Sequence, residues 1–258
     1  MTTYCFQGHW RRLASLCIPI QTQTRGDNAM DYEWDFHTVL RHWPDLLAGG
    51  VNTLKLVASA LLLAVPIGLL FGIIRQQKIP LLRYIVVAYI EFFRSTVALV
   101  LIYWCYYALP VLLNITLDTF IAVTLALGLQ ASAFMAELVR GSMNAIGAGQ
   151  WQAASALGLS RYQTLRHIIL PQTLRLLVPV FFLLVIDIIK NTALAGVVTY
   201  GELFYRAVNI ASNTYRSLET FTLLGLIYFV VIFAASHLAD YYERRLSLHR
   251  LRPASQGR

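Results

Sequence analysis

Residues 150–171 read QWQAASALGLSRYQTLRHIILP and lie between hydrophobic blocks long enough to cross a bilayer. Their first part has a helical composition, with small side chains at Ala153, Ala154 and Ala156 that leave a shallow helix surface. Gly158 is a natural terminator, because glycine accepts the left-handed conformation found just past a helix end. Ser160 and Gln163 then have the spacing of a capping box. The second helix carries Leu165, Ile168 and Ile169 and reaches Leu170-Pro171, where proline suits the first turn of a new span. The stretch therefore predicts helix, sharp turn, helix, feeding directly into a membrane helix, so that a push on the first helix would be passed to that span. Such an insert is either a docking surface or an amphipathic loop resting on the membrane.

Composition fits this reading. The chain has 258 residues, of which 57% are hydrophobic and only 13% charged, against about 25% charged in a soluble domain. Lipid is the expected solvent for most of it. The formal net charge of +8 does not indicate nucleic acid, because the basic residues form no single patch. They sit at the ends of apolar runs, where topology signals belong. Cys5, Cys17 and Cys105 are scattered, with no CxxC pair and no histidine cluster, so neither a metal site nor a disulfide framework is indicated. His37, His42, His167 and His237 are isolated.

A membrane-crossing helix needs about 20 mainly apolar residues. Five runs qualify, near residues 51–74, 84–109, 119–138, 174–189 and 221–239, the fourth short and extendable into NTALAGVV. Arg75, Lys78 and Arg83 separate the first two, and Arg140, Arg161, Arg166 and Arg175 lie between the third and fourth. Arg244, Arg245, Arg250 and Arg252 follow the fifth, while no Lys or Arg separates the second and third. The positive-inside rule then places the N-terminus outside and the C-terminus and the insert in the cytoplasm. The expected fold class is all-α, a polytopic membrane protein of five transmembrane helices with a cytoplasmic helical hairpin between spans three and four. Pro66 and Pro179 are expected to kink spans one and four. Gly68 and Gly72 form a GxxxG, which is either a close helix contact or chance in a glycine-rich segment.

Residues 1–29 differ from the rest, with Arg11 and Arg12 before a short apolar run and no small-residue cleavage site after it. They read as an extension upstream of a true start at Met30, with a short disordered leader as the alternative. The organisation expected beyond them is a periplasmic segment at 30–48, a transmembrane domain at 49–246 and a basic cytoplasmic tail at 247–258.

The insert resembles the EAA loop of binding-protein-dependent ABC importer permeases. That family's pattern is E-A-A, three residues, G, nine residues, I-x-L-P. Here Gln152-Ala153-Ala154, Gly158 and 168–171 match every spacing, with Gln152 in place of the glutamate. Further stretches at 50–56 (GVNTLKL), 91–96 (EFFRST), 136–141 (AELVRG), 149–151 and 190–194 (KNTAL) are similar to the polar amino-acid permeases of the histidine, glutamine and glutamate type. The resemblance covers about residues 45–246. It departs at Ser95 and Val97, where the branch has glycine and proline, and at Asn191 and Ala193, where it has aspartate and serine.

The resemblance implies a permease subunit forming the transmembrane path for a polar amino acid in the bacterial inner membrane. It implies a cytoplasmic ABC ATPase dimer gripping Gln150, Trp151, Gln152, Ala153, Ala154, Ala156 and Gly158. It also implies a second permease copy or a related permease, and a periplasmic substrate-binding protein. The chain itself lacks a P-loop, since Lys55, Lys78 and Lys190 are followed by Leu, Ile and Asn rather than Ser or Thr. ATP and Mg then belong to the partner, and this chain is a transport subunit that binds no cofactor and is not an enzyme.

Polar residues within the spans are the other candidates, because charge in the bilayer faces protein or an aqueous cavity. Asp187 and Lys190 are i, i+3 and close enough to pair, with Asn191 beside them. They either line a substrate path, form an internal ion pair, or leave the lysine snorkelling. Gln130 bonds substrate or a neighbouring helix. Arg94 pairs with Glu91 or meets a carboxylate. The competing class is an ion-coupled secondary transporter of small polar solutes, against which stand the absence of a repeat and the odd number of spans.

Overall fold

A computed structural model describes residues 32–76 and 80–247, the side chains of Pro80 and of residues 245–247 excepted. The expected extension, the start at Met30, Lys78 and the tail from residue 248 lie outside the described residues. The chain divides into two units, of which the first ends at Trp34. In it the Tyr32 and Trp34 rings meet edge to face with centroids 5.5 Å apart. The second unit, Asp35–Arg258, contains the bundle.

Every regular element among the described residues is helical. Four helices are long and apolar enough to span a bilayer: Trp43–Arg75, Thr119–Asn144, Arg161–Val198 and Ser217–Arg244. The expected second span is instead a bent pair, Leu81–Ser95 and Ala98–Leu113, meeting at 105°. Counted as one broken span, the pair brings the number to five. Val97 is extended at the break (φ −69°, ψ 131°), and the Thr96 carbonyl freed there accepts the Gln130 amide at 2.7 Å. A lost backbone partner inside a bundle is costly, and this side chain supplies one. The fourth span does extend through NTALAGVV, as a 3-10 turn over Ala193–Val198.

Two Leu-Pro steps lie within helices. Each follows a π turn, Trp104–Ala108 before Leu109-Pro110 and Leu165–Ile169 before Leu170-Pro171. Proline lacks an N–H and its ring clashes with the carbonyl four residues back. The extra residue of a π turn displaces that carbonyl, so the helix continues. Pro66 and Pro179 also lie inside helices that run on past them.

The third span is the axis of the bundle. Its apolar window is 61% buried against 6% for the fifth span, and it packs most extensively on the first. The Gly68/Gly72 motif makes that contact. A Cβ on Gly68 would stand 2.5 Å from Met135 Cγ and 2.9 Å from Ser132 O. One on Gly72 would stand 2.6 Å from Val139 Cβ and 3.0 Å from Ala136 O.

Two helices are absent from the reading of apolar runs and hairpin, Phe36–Leu40 and Leu203–Thr214. Leu203–Thr214 is too short to span and is amphipathic, burying Leu203, Ala207, Ile210 and Ala211 beside Val39, Leu46 and Leu224. Glu202 caps it, accepting from Phe204 N and Tyr205 N at 2.7 Å each. Thr53 Oγ1 accepts from Leu203 N at 3.1 Å, and the Asn52 amide donates to Gly201 O at 2.9 Å. These bonds fasten the helix to the start of span one.

Glu202 is fully buried, and burial raises its carboxyl from the ordinary 4.5 to about 7 against the opposing effect of its two N–H bonds. The folded value exceeds the unfolded one, so the native state holds the proton more tightly. The resulting stabilisation is full below 4.5 and is lost as pH rises through 7. Detergent-solubilised protein should therefore be less stable at about pH 8 than at about pH 5, by up to ~3 kcal/mol, with Glu202→Gln removing that part of the difference. Identical pH profiles of thermal unfolding for wild type and Glu202→Gln would refute this.

Candidate functional site

The hairpin forms from the local signals expected of it. Its first helix is Ala148–Ala156. Gly158 follows at φ +71°, with Leu159 N donating to Ala154 O at 3.1 Å and Gly158 N to Ser155 O at 3.0 Å. These are the two bonds of a Schellman motif. Ser160 N donates to Gln163 Oε1 at 2.9 Å and Gln163 N to Ser160 Oγ at 3.3 Å, which completes the capping box. From Arg161 the helix runs unbroken into span four. On the other side only residues 145–147 separate the hairpin from the third span, so it is tied to two spans by short, ordered connections.

Gln150, Gln152, Ala153, Ala156 and Gly158 are exposed on the hairpin. Trp151 is half-buried and packs against the main core with Leu165 and Ile168. Ala154, between Ala153 and Ala156, is 1% exposed and buried within this chain. Trp151, Arg161, Gln76 and Asn144 border a cavity of about 280 Å3 beneath the hairpin.

Three of the five polar span residues converge. Gln130, Asp187 and Asn191 line one narrow cavity with Leu127, Ala131 and Phe134. Its volume of about 10 Å3 is at the threshold for a single water. Of the readings open for Asp187 and Lys190, the ion pair does not form among the described residues. Asp187 Oδ2 instead accepts the Asn191 amide at 3.1 Å, one turn further along the same helix. Lys190 lies outside this cavity and is exposed.

Arg94 belongs to a different cluster, centred on Glu137, a residue not singled out from the sequence. Arg75 and Arg140 each bond one of the two Glu137 carboxylate oxygens, the latter also through Nε at 2.8 Å. Arg94 Nη1 stands 3.9 Å from Glu137 and 4.0 Å from Glu91. Its guanidinium lies over the Phe134 ring, 5.9 Å from the centroid. The signal available in the sequence was an acid followed at i+3 by Arg140 in an apolar helix, but the arginines of other spans carried no spacing that pointed to it.

Comparison with known proteins agrees with the geometry. Residues 64–248 match the family described as binding-protein-dependent transport system inner membrane component. The chain is 31% identical over 220 residues to a probable amino-acid ABC transporter permease of Bacillus subtilis, covering 84% of this chain and 97% of the relative. It is 30% identical to the glutamine transport system permease GlnP of Escherichia coli, covering 84% and 99%. Among solved structures it is similar to one described as an amino acid ABC transporter with histidines, with a TM-score of 0.78 and 29% identity over 83% of this chain and all of that one.

Proposed function

Since the chain belongs to the family of inner membrane components of binding-protein-dependent transport systems, and is a multi-pass permease subunit of an amino-acid ABC importer, we propose that the 148–164 hairpin is the docking element for a separate cytoplasmic ABC ATPase dimer. The observation that carries this reading is the hairpin's direct continuity with span four, joined to the third span by a three-residue link. A Schellman turn, a capping box and an uninterrupted helix leave no slack between Gln152 and span four. The exposed Gln150, Gln152, Ala153 and Ala156 form the gripped surface. Gln152 holds no charge, so the contact relies on shape and hydrogen bonding more than on an ion pair.

The N-terminus lies outside and the C-terminus inside, following the arginine distribution. A second copy of this chain or a related permease completes the path, and a periplasmic binding protein delivers the solute. ATP and Mg act in the partner, and this chain supplies the moving helices. Gln130, Asp187 and Asn191 line one small cavity, which this reading takes as the constriction of the solute path, since an acid and two amides suit a polar amino acid with its ammonium group.

Reconstitution tests this reading. Proteoliposomes containing the chain, its ATPase and its binding protein should take up a polar amino acid only when ATP is supplied on the ATPase side. Uptake driven by an ion gradient with the ATPase left out would overturn it in favour of a secondary transporter.

A further inference from the structure

The elbow of the broken span is bound to one face of the third span. Gln130, Phe134 and Glu137 follow one another at i, i+4 and i+7, which places them on one stripe of a helix. Each meets the elbow. The Gln130 amide holds Thr96 O at 2.7 Å, the Phe134 ring lies under the Arg94 guanidinium, and Glu137 is 3.9 Å from Arg94 Nη1. The helix leading to the elbow is held on the same span by Tyr89, whose hydroxyl is 2.7 Å from Ser132 Oγ. Glu137 also bonds Arg75 at the end of span one, and the Gln76 amide bonds Asn144 at 2.8 Å.

Gln130 and Phe134 also line the narrow cavity with Asp187 and Asn191. The third span continues within three residues into the hairpin. One helix face thus holds the elbow, borders the constriction and leads to the docking element.

We infer that Arg94 and Glu137 are positioning residues for transport: they clamp the elbow to the third span, so that the movement imposed on the hairpin is delivered to the constriction. The inference rests on the ATPase-docking reading above. Span one, the helix Leu81–Ser95 and the third span move as one block, and span four with Asp187 and Asn191 moves against it. Without the clamp the elbow lags, and the constriction no longer opens in step with nucleotide turnover. Neither residue touches solute in this role.

The test measures uptake and ATP hydrolysis in the same proteoliposomes, for wild type, Arg94→Gln, Arg94→Lys and Glu137→Gln in the full complex. Arg94→Gln should keep hydrolysis near the wild-type rate and leave KM for the solute unchanged, while solute carried per ATP falls about tenfold, the scale of a typical inter-site coupling. Glu137→Gln should act in the same direction, and Arg94→Lys should restore most of the ratio. A raised KM with an unchanged solute-to-ATP ratio would overturn the inference and make Arg94 a solute contact. A proportional fall of uptake and hydrolysis would overturn it as well, by showing a structural loss only.

Should the variants fail to assemble, the wild-type complex with spin labels at Leu81 and Ile121 still decides. That distance should stay constant between nucleotide-free and ATP-bound states, and a change in it would refute the block. ATP-independent uptake by wild type would instead sink the docking reading, which keeps the two failures apart.

Discussion

Gly68→Leu and Gly72→Leu should each prevent the bundle from assembling. The obstruction includes backbone as well as side chain, since a Cβ at residue 68 falls 2.9 Å from Ser132 O and one at residue 72 falls 3.0 Å from Ala136 O. Side chains can change rotamer, but these carbonyls are fixed in the third span. The first and third helices would have to separate. Overpacking a core costs about 1–3 kcal/mol when side chains can yield, and more where they cannot. Lipid makes the loss harder to absorb, because apolar helices gain nothing by staying together except packing and hydrogen bonds.

Against a net stability of about 5–15 kcal/mol, either change should strongly reduce the folded yield in detergent and the melting temperature. Gly50→Ala is the matched control. Nothing lies within 4 Å of its Cβ, so it should be neutral or stabilise by up to about 1 kcal/mol through helix propensity. Wild-type yield and melting for Gly68→Leu would show that the close approach is not required.

Gly158→Val should leave the bundle intact and abolish coupled transport. The space around a Cβ at residue 158 is open, so the obstacle is the backbone angle alone. At φ +71° an L-residue pays about 1–2 kcal/mol, and a β-branched one more. The cheapest escape is to abandon the Schellman turn, which releases the Gly158 N and Leu159 N bonds and re-aims the first hairpin helix. The spans do not depend on that turn, so insertion and thermal unfolding should match wild type. Uptake in the reconstituted complex should fall more than about tenfold, because a small misplacement of a docking element is costly. Gly158→Asn should retain most activity, since asparagine tolerates the left-handed region. Normal ATP-driven uptake by Gly158→Val would remove the hairpin from the coupling path.

The hairpin was legible because its signals are local. A glycine past a helix end, a serine three residues before a glutamine and a proline opening a span each act within a few residues. The five apolar runs were legible for a similar reason, since length and apolarity alone decide whether a helix can cross lipid. The GxxxG left two readings open, and the opposing Met135 and Val139 decided between them.

The features that were not legible depend on partners remote in sequence. Residues 95–97 carry no glycine or proline, so nothing local announces a 105° bend. It persists because Gln130, 34 residues away, receives the freed carbonyl. Glu137 looked like one acid beside Arg140 until the third span brought Arg75 and Arg94 to it. Asp187 chose Asn191 over Lys190, although both spacings permit contact, because rotamers and the surrounding packing select the partner. The helix Leu203–Thr214 escaped a search for spans because its apolar residues occupy one face only, and burying that face required Val39, Leu46 and Leu224.

From the amino-acid order alone came the apolar lengths, the turn chemistry and the charge placement, and with them the family and the helical hairpin, because each acts within a few residues or as a sum over one segment. The elbow, the arginine cluster and the small cavity at Gln130, Asp187 and Asn191 were decided only when the helices packed. Each unites groups from separate spans, and their energies come from desolvation and distance, which no single segment contains.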